Sequence, residues 1–325
     1  MKKLLSIVLA ITLILSMAAM ATSCNQNKKY VIGISQLVTH PALDAATQGF
    51  KDAVIAGLGE ENVEFDFQNA DNSTDACATI VNNFVNKKVD LIMANATPAL
   101  QAAYNATQTI PILGTSITEY GVALKIDNFN GTVGGNVSGT SDLAPLDEQA
   151  QMILDLVPTA QTVGLLYCSG EANSAYQVKV VKEYLEAKSI TVKEYAFSDS
   201  NDVSAVTANA AANCDAIYIP TDNTAASCAE TIYGAMGENK KPIIAGESGI
   251  CGGCGIATLS IDYYDLGYAT GEMAVKILKD GADISTMAIQ YTPAEKISKK
   301  YNKEICADFG IDPAAMEAKG YTALS

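Results

Sequence analysis

The sequence predicts an α/β protein of two lobes, each with a parallel sheet that carries helices on both faces. Short apolar runs alternate with longer runs in which apolar residues recur at helical spacing, and this alternation starts again after about residue 140. The chain of 325 residues also exceeds the size of a typical single core. The prediction of two lobes therefore depends on chain length and on the repeated pattern of elements.

In the first lobe, strands and helices are expected to alternate from residue 30 onward. Each strand is a short apolar run, and each helix carries apolar residues three or four positions apart. The strands are Tyr30–Ser35, Asn62–Gln68, Leu91–Ala94 and Ile110–Gly114, and the helices are Asp44–Ala56, Asp75–Lys87 and Pro98–Thr107.

The second lobe repeats this order, and its runs VGLLY and DAIYIP have the near-continuous apolarity of strands buried on both faces. A further segment follows both lobes, with a helix at Tyr263–Lys279, the run Ile284–Thr292 and a final helix near Ala294–Phe309. If the two lobes share this segment, the chain crosses between them more than once. The strands are Thr162–Tyr167, Thr191–Ala196, Ala216–Pro220 and Pro242–Ala245, and the helices are Asp147–Leu156, Ser174–Ala187, Asp202–Ala212 and Thr224–Met236.

Residues 1–23 have the pattern of a signal peptide. Two lysines precede an apolar run, and the small residues Ala21-Thr22-Ser23 lead into Cys24. This ending fits a bacterial lipobox, in which the cysteine is acylated and residues 24–29 form a short tether. The alternative is an ordinary signal peptide with a chance cysteine. We expect an exported protein, lipid-anchored through Cys24 at the outer face of a bacterial membrane.

The charge of the chain limits its partners. The net charge is −15 and every basic residue is lysine. Nucleic-acid binding requires a basic surface, so no nucleic-acid partner is expected. The absence of arginine from the sequence also removes the bidentate clamp for carboxylates. An anionic ligand group must therefore be held by backbone N–H groups, hydroxyls, amides or lysine.

Polar residues follow most of the predicted strands, at the edge where parallel sheets bind ligands. Serine, threonine, asparagine and aspartate there are also what helix N-caps require, and Thr97-Pro98 has the form of such a cap. The functional alternative is a cleft between two facing rows of loops, where helix N-termini hold a carboxylate. Asp222 and Glu247 are then candidates for a ligand ammonium.

The sequence offers little for catalysis, and we expect no enzyme, no cofactor and no metal site. His40 is the single histidine, and no Gly-x-Ser-x-Gly motif is present in the sequence. Cys251-Gly252-Gly253-Cys254 is a C-x-x-C motif in a predicted glycine-rich turn. A loop disulfide, free thiols, a metal half-site and redox catalysis remain open for it. The other cysteines occur mostly in apolar contexts, which favours packing roles.

Several blocks of the sequence resemble the ABC-transporter substrate-binding proteins of the tryptophan/tyrosine-type family, over nearly all of residues 30–312. EANS and PTDN, in that order, are the most specific. The matching stretches are ISQLVTHPALDAATQGFKDAV, ANATPALQAAYNATQTIPIL, GNVSGTSDLAPLDEQAQMILDLVP, VGLLYCSGEANSAYQVKVVK, DAIYIPTDNTAAS and IDYYDLGYATGEMAVKIL.

The resemblance implies a type I periplasmic-binding fold, in which two Rossmann-like lobes joined by a three-segment hinge close on one small ligand, best known in this family as an aromatic amino acid. Ser141, Asn173 and Ser174 would hold a ligand carboxylate. Two departures affect the ligand: the cysteine-containing segment GESGICGGCGIATLS, and Leu37 and Val38, which would narrow the cleft if they face it. The implied ligand-binding residues are Gln36, His40, Thr97, Ser116, Ser141, Asp142, Asn173, Ser174, Asp222, Asn223 and Glu247.

Residues 30–140 and about 258–288 are expected to form lobe I, and residues 141–257 and about 289–325 lobe II. The expected function is a monomeric receptor that delivers an amino acid to an ABC permease. One alternative is a sensing module that reports to a membrane receptor. The other is a redox enzyme that uses Cys251 and Cys254.

Overall fold

The computed structural model describes residues 29–324 and contains two separate sheets. The predicted signal peptide and Cys24 lie outside the described residues. Within them, no helix combines the length and the apolarity needed to pass through a bilayer. The predicted class, two parallel-dominated α/β lobes, is confirmed.

The first sheet is entirely parallel. Its spatial order is β11-β5-β4-β3-β1-β2, so the last strand of the lobe returns to the edge beside β5. All five residues of its central strand Leu91–Asn95 are buried, as expected for a strand covered on both faces. The strands are β1 (Tyr30–Gln36), β2 (Val63–Asn69), β3 (Leu91–Asn95), β4 (Ile112–Ile117), β5 (Val137–Ser141) and β11 (Gln290–Tyr291).

The second sheet has the order β13-β12-β10-β9-β8-β6-β7. It is parallel except where β12 pairs antiparallel with β10. The strands are β6 (Thr162–Cys168), β7 (Thr191–Phe197), β8 (Ala216–Ile219), β9 (Ile243–Ala245), β10 (Ala257–Ser260), β12 (Ser298–Tyr301) and β13 (Thr322–Ala323).

Helices cover both sheets. The helices of the first lobe are α1 (Pro41–Leu58), α2 (Thr74–Lys87), α3 (Thr97–Ala106), α4 (Tyr120–Leu124) and α11 (Tyr263–Leu278). The helices of the second lobe are α5 (Leu146–Leu156), α6 (Ala172–Ala187), α7 (Val203–Asn213), α8 (Asn223–Ser227), α9 (Ala229–Ala235), α10 (Ser248–Cys254), α12 (Lys303–Asp308) and α13 (Pro313–Ala318). Short 3₁₀ turns occur at Glu60–Asn62, Ile284–Thr286 and Ala294–Lys296.

Helices α1 and α11 pack backbone to backbone in the first lobe. A Cβ added at Gly267 would lie 1.9 Å from the carbonyl oxygen of Ala46, and one at Gly49 would lie 2.1 Å from that of Tyr264. Neither distance allows a side chain. Glycine on each helix is therefore what permits this close approach, and it fixes the late helix α11 to the lobe that begins the chain.

The chain passes between the lobes three times: after β5, between β10 and α11, and between β11 and β12. The expected boundary near residue 258 falls inside β10, which belongs to the second sheet, and β11 at Gln290–Tyr291 still belongs to the first. Sheet membership thus shifts both expected boundaries by a few residues toward the C-terminus.

Several segments differ from the sequence-based prediction, and strands β10 and β13 and helices α4 and α13 were not predicted. The helix predicted at Thr224–Met236 is divided into α8 and α9 at Cys228. The final helix predicted near Ala294–Phe309 is instead a 3₁₀ turn, strand β12 and helix α12. The C-x-x-C segment is helix α10 rather than a turn. Strand β5 was not predicted, because its sequence VSGTS is polar although every residue in it is buried.

Candidate ligand-binding site

The carboxyl ends of the two sheets face each other across the interlobe cleft. The His40 ring lies against Asn223 with Nε2 and Oδ1 3.3 Å apart, and Asn72 Nδ2 donates to Thr224 Oγ1 at 3.0 Å. These two contacts join the first lobe to the second. The predicted ligand-binding residues are all buried: Gln36, His40, Thr97, Ser116, Ser141, Asp142, Asn173, Ser174, Asp222, Asn223 and Glu247.

At the end of β4, Ser116 has φ of +57°, a left-handed conformation that serine rarely adopts. Its side chain is buried, and its hydroxyl has no hydrogen-bond partner within residues 29–324. Strain of this kind concentrates at functional sites. Ser116 is therefore a buried donor without a partner among the described residues, at the carboxyl end of β4.

Helix α3 begins beside Ser116 without a side-chain cap. Its N-cap is Ala96, with φ of +89°, so Thr97 is the first helical residue rather than the predicted cap. Ala96 N donates to Thr115 O at 3.1 Å, which holds this helix start against the end of β4. The first N–H groups of an α-helix have no intrahelical acceptor and favour anions. The start of α3 is thus suited to a carboxylate.

Two predicted residues use their side chains within the first lobe. Gln36 donates from Nε2 to Asp44 Oδ1 and Val38 O, and its oxygen accepts from Thr47. Ser141 Oγ donates to Thr118 O at 2.9 Å. The single hydroxyl proton of Ser141 is therefore not available for the ligand carboxylate that we expected it to hold.

Asp142 lies at the first crossing between the lobes, next to the end of β5. Tyr263 OH donates to its Oδ2 at 2.9 Å, while its buried Oδ1 has no partner among the described residues. Burial raises the pKa of Asp142 to about 6, against the effect of the Tyr263 hydrogen bond, and the nearby negative charge of Glu247 adds to the increase. Asp142 is therefore a carboxylate with one open acceptor position.

In the second lobe, Asn173 also presents an open acceptor. Its Nδ2 donates to Glu171, Thr221 O and Ser174 Oγ. These acceptors fix the orientation of the amide, so Oδ1 points away from them and has no partner within the described part of the chain. Asn173 is thus arranged to accept a hydrogen bond, and not to donate to a ligand carboxylate as we expected.

Asp222 and Glu247 act as helix caps. Asp222 Oδ1 accepts from Ala225 N and Oδ2 from Cys168 N, while Glu247 accepts from the N–H groups of Gly249 and Ile250. Burial, with the nearby Glu171 charge, raises the pKa of Asp222. Both carboxylates already have backbone partners on both oxygens, so they are weaker candidates for an ammonium than Asp142.

The cleft contains several buried carboxyl groups, and the described residues place no buried lysine beside them. Asp142, Glu171, Asp222 and Glu247 are buried, and no lysine among residues 29–324 is buried. An uncompensated buried charge is costly. The closed cleft therefore favours a ligand that carries a positive group.

Two cleft residues were missed by the sequence-based prediction. Glu171 accepts hydrogen bonds from Asn173, Asn223 and Thr224 through its two oxygens. Tyr263 bonds to Asp142 from the start of α11. The signal for Glu171 was present in the EANS block, whereas nothing in the sequence distinguishes Tyr263 from Tyr264 beside it.

The two cysteines of the C-x-x-C motif lie in an apolar core cluster of the second lobe. Cys251 and Cys254 are buried free thiols on α10, and they donate to Gly255 O and Ile250 O. Burial raises the pKa of both thiols, which opposes the thiolate form that redox chemistry needs. Across residues 29–324, no three His, Cys, Asp or Glu side chains are grouped as metal ligands. The motif therefore has the geometry of a packing element.

Leu37 also lies outside the cleft. It belongs to the apolar core of the first lobe, with Phe84 and Ile117, and Val38 packs against the same core. Leu37 is therefore buried in this core, whereas Val38 is only half-buried and its effect on the ligand site stays a prediction.

Residues 31–312 match the family model for ABC transporter substrate binding proteins. The chain belongs to this family. A curated relative of this substrate-binding protein is the tyrosine-binding protein of Clostridioides difficile (strain R20291), with 37% identity over 313 residues, 90% of this chain and 89% of the relative. The type I periplasmic-binding fold implied by the sequence is confirmed by solved structures.

Two solved structures are similar to this substrate-binding protein over most of its length. The ABC domain from Streptococcus pneumonia in complex with L-Trp has 32% identity, covers 91% of this chain and 100% of its own, and gives a TM-score of 0.85. The ligand-free, open structure of a Clostridium difficile substrate-binding protein with adhesive properties has 38% identity and the same coverage, 91% and 100%, but a TM-score of 0.67. The chain thus superposes better on the L-Trp complex than on the ligand-free, open structure, and its own lobes contact each other at His40–Asn223 and Asn72–Thr224.

Proposed function

We propose that this substrate-binding protein captures an aromatic amino acid between its lobes and delivers it to an ABC importer in the membrane. The observation that carries the amino-acid assignment is the open oxygen of Asp142. It is a buried carboxylate oxygen without a partner among the described residues, in a cleft where no lysine is buried. A ligand ammonium would supply the missing donor and the missing charge.

The two charged groups of the ligand are assigned to different sides of the site. Asp142 Oδ1 and Asn173 Oδ1 are unpaired acceptors and suit the ammonium. Ser116 Oγ and the uncapped N-terminus of α3 are donors and suit the carboxylate. A zwitterion therefore matches the cleft better than a sugar or an anion, since it satisfies acceptors and donors together.

The aromatic class is taken from the relatives. One relative is a tyrosine-binding protein and another was solved in complex with L-Trp, at 37% and 32% identity. An apolar side chain would add burial free energy of about 25 cal/mol per Å² to the polar contacts. These two contributions together are sufficient for a micromolar dissociation constant, about 8 kcal/mol.

The proposal also includes the membrane anchor. Substrate-binding proteins of ABC transporters work outside the cytoplasm, and the segment Ala21-Thr22-Ser23-Cys24 follows an apolar run in the manner of a lipobox. An acylated Cys24 would keep the receptor beside its permease and raise its effective concentration there. The proposed state is a monomer.

The experiment that tests this function is isothermal titration of ligand-stripped protein with amino acids, nucleosides, sugars and short peptides. We expect heat with L-tyrosine or L-tryptophan and weaker or no heat with the decarboxylated amine or the deaminated acid, because each lacks one charged group. Absence of heat with every amino acid would reject the proposal, and equal affinity for an amine that lacks the carboxylate would reject the role of Ser116 and α3.

Affinity is expected to depend on pH through Asp142. Its pKa in the unliganded protein is raised to about 6, and only the ionised carboxylate pairs with an ammonium. The affinity for L-tyrosine should therefore fall as the pH decreases through 6, by about tenfold for each full pH unit below the pKa. The cause is that the free protein takes up a proton on Asp142, which must be released when the ligand binds. Conversely, stability of the unliganded protein should decrease as pH rises from about 4 to 6, since the folded state binds the proton more tightly.

Titrations at pH 5 and 7.5, in buffers of different ionisation enthalpy, measure this dependence. Asp142→Asn is the matched control, because it removes the titratable carboxyl group at position 142 and leaves the other buried aspartate of the site, Asp222, unchanged. A wild-type affinity that is flat over this range, or a D142N variant with the same pH dependence as wild type, would exclude Asp142 as the titrating group.

A further inference from the structure

Glu171 is a buried carboxylate, 4% exposed, that does not serve its own helix. It is the N-cap residue of α6, but its side chain makes no capping hydrogen bond there. Instead it reaches the start of α8. Oε2 accepts from Asn223 N at 3.0 Å, Asn223 Nδ2 at 2.7 Å and Asn173 Nδ2 at 3.1 Å, and Oε1 accepts from Thr224 N and Oγ1, both at 2.8 Å.

The two residues that Glu171 holds in α8 are those that meet the first lobe. Asn223 Oδ1 faces His40 Nε2 at 3.3 Å, and Thr224 Oγ1 accepts from Asn72 Nδ2 at 3.0 Å. The Glu171 carboxylate is thus hydrogen-bonded to both of the second-lobe residues that make these interlobe contacts. The same contact joins the EANS and PTDN blocks, since Glu171 begins the first and Asn223 ends the second.

A carboxylate can only accept hydrogen bonds, and this fixes the direction of both contacts. Thr224 must turn its proton toward Glu171, which leaves a lone pair for Asn72. Asn223 must turn its amide nitrogen toward Glu171, which leaves its oxygen for His40, so His40 donates from Nε2. Without an acceptor at position 171, no hydrogen bond from Glu171 would fix the side chains of Asn223 and Thr224 in the orientation that pairs with the first lobe.

We propose that Glu171 is a positioning residue for lobe closure, which sets the hydrogen-bonding direction of Asn223 and Thr224 so that His40 and Asn72 can join them. This inference rests on the proposed function, in which the lobes close on the ligand and the importer recognises the closed form. The ligand itself does not need to touch Glu171. Glu171 can then affect affinity in two ways: through the stability of the closed state relative to the open state, and through the orientation of the Asn173 amide. Scattering and the coupling with Asn72 measure the first of these.

Glu171→Gln tests the inference, because glutamine keeps the size of the side chain but replaces one acceptor oxygen with a donor. The assays are titration with L-tyrosine and small-angle scattering with and without ligand. We expect the dissociation constant to rise about tenfold or more, and the radius of gyration to shift toward the open form. Asp215→Asn is the matched control: Asp215 accepts from Gln161 N and Thr162 N in the same lobe, away from the cleft.

A double-mutant cycle with Asn72→Gly separates positioning from simple destabilisation. Asn72 has φ of +62°, which glycine adopts without strain, so this variant removes the interlobe donor and keeps the loop. We expect N72G alone to weaken affinity about threefold and to add little in the E171Q background. Additive effects would indicate that Glu171 does not act through Thr224.

Each outcome separates the two proposals. If wild-type protein binds neither L-tyrosine nor another amino acid, the proposed function fails, and the scattering of unliganded wild type and E171Q still compares their closed populations. If the wild type binds, but E171Q equals D215N in affinity and scattering, the positioning role fails and the function stands. If E171Q also loses stability in thermal unfolding, the double-mutant cycle separates the two causes: non-additive effects of E171Q and N72G on affinity support positioning, and additive effects reject it.

Discussion

Asp142→Asn is expected to abolish most of the affinity for the amino acid while making the unliganded protein more resistant to heat. The substitution removes the charge that pairs with the ligand ammonium, and truncating one partner of a buried charged pair costs about 2–5 kcal/mol of binding free energy. It also removes a carboxylate whose Oδ1 has no partner among the described residues. Titration calorimetry should show a loss of about hundredfold, and scanning calorimetry a higher midpoint.

Glu247→Gln provides the comparison, since Glu247 lies near Asp142 but accepts from Gly249 N and Ile250 N as a helix cap. It should lower stability by about 1 kcal/mol through the lost cap and weaken binding far less than D142N does. If E247Q loses more affinity than D142N, the ammonium belongs at Glu247. If D142N weakens binding and also lowers the thermal midpoint, the loss reflects damage to the fold.

Gly267→Ala is expected to have the largest effect on stability among single methyl additions in the first lobe. The added Cβ would lie 1.9 Å from the carbonyl oxygen of Ala46, which is backbone and cannot turn aside. Helices α1 and α11 would have to separate, and overpacking of this kind costs about 3 kcal/mol. Urea unfolding followed by circular dichroism should show a correspondingly lower midpoint.

Gly234→Ala is the matched helical control. Gly234 is exposed on α9, and a Cβ there would have no heavy atom within 4 Å. Alanine has the higher helix propensity, so this variant should keep or raise the free energy of unfolding, by up to about 1 kcal/mol. A G267A protein as stable as G234A would show that α1 and α11 do not pack as closely as described.

Much of the fold could be predicted because buried parallel strands can be recognised from their continuous apolar composition. Ala216–Ile219 and Leu91–Asn95 are almost wholly apolar and were predicted within a residue. Strand β5 was not, because its burial depends on hydroxyls that pair with one another: Thr140 Oγ1 lies 3.3 Å from Thr115 Oγ1 and 2.8 Å from Thr270 Oγ1. Such pairing is a property of the fold, and the pattern of apolar residues does not contain it.

For the site, the sequence could indicate which residues gather at the cleft but not which of their atoms remain free. Ser116 and Ser141 are similar in sequence terms, yet one hydroxyl has no partner within residues 29–324 and the other donates to Thr118 O. Asn173 was expected to act through its nitrogen, but that nitrogen donates to Glu171, and the amide oxygen has no partner among the described residues. Both distinctions depend on neighbours that are distant in the chain.

The hydrogen bond between Tyr263 and Asp142 joins two of the three segments on which the lobes turn. Asp142 lies on the first crossing and Tyr263 begins the helix after the second. The residue proposed to pair with the ligand ammonium thus also links two of the crossings between the lobes. A substitution at position 142 that selects a different ligand would also alter the angle at which the lobes come to rest, so in this protein ligand preference and closing angle are expected to evolve together.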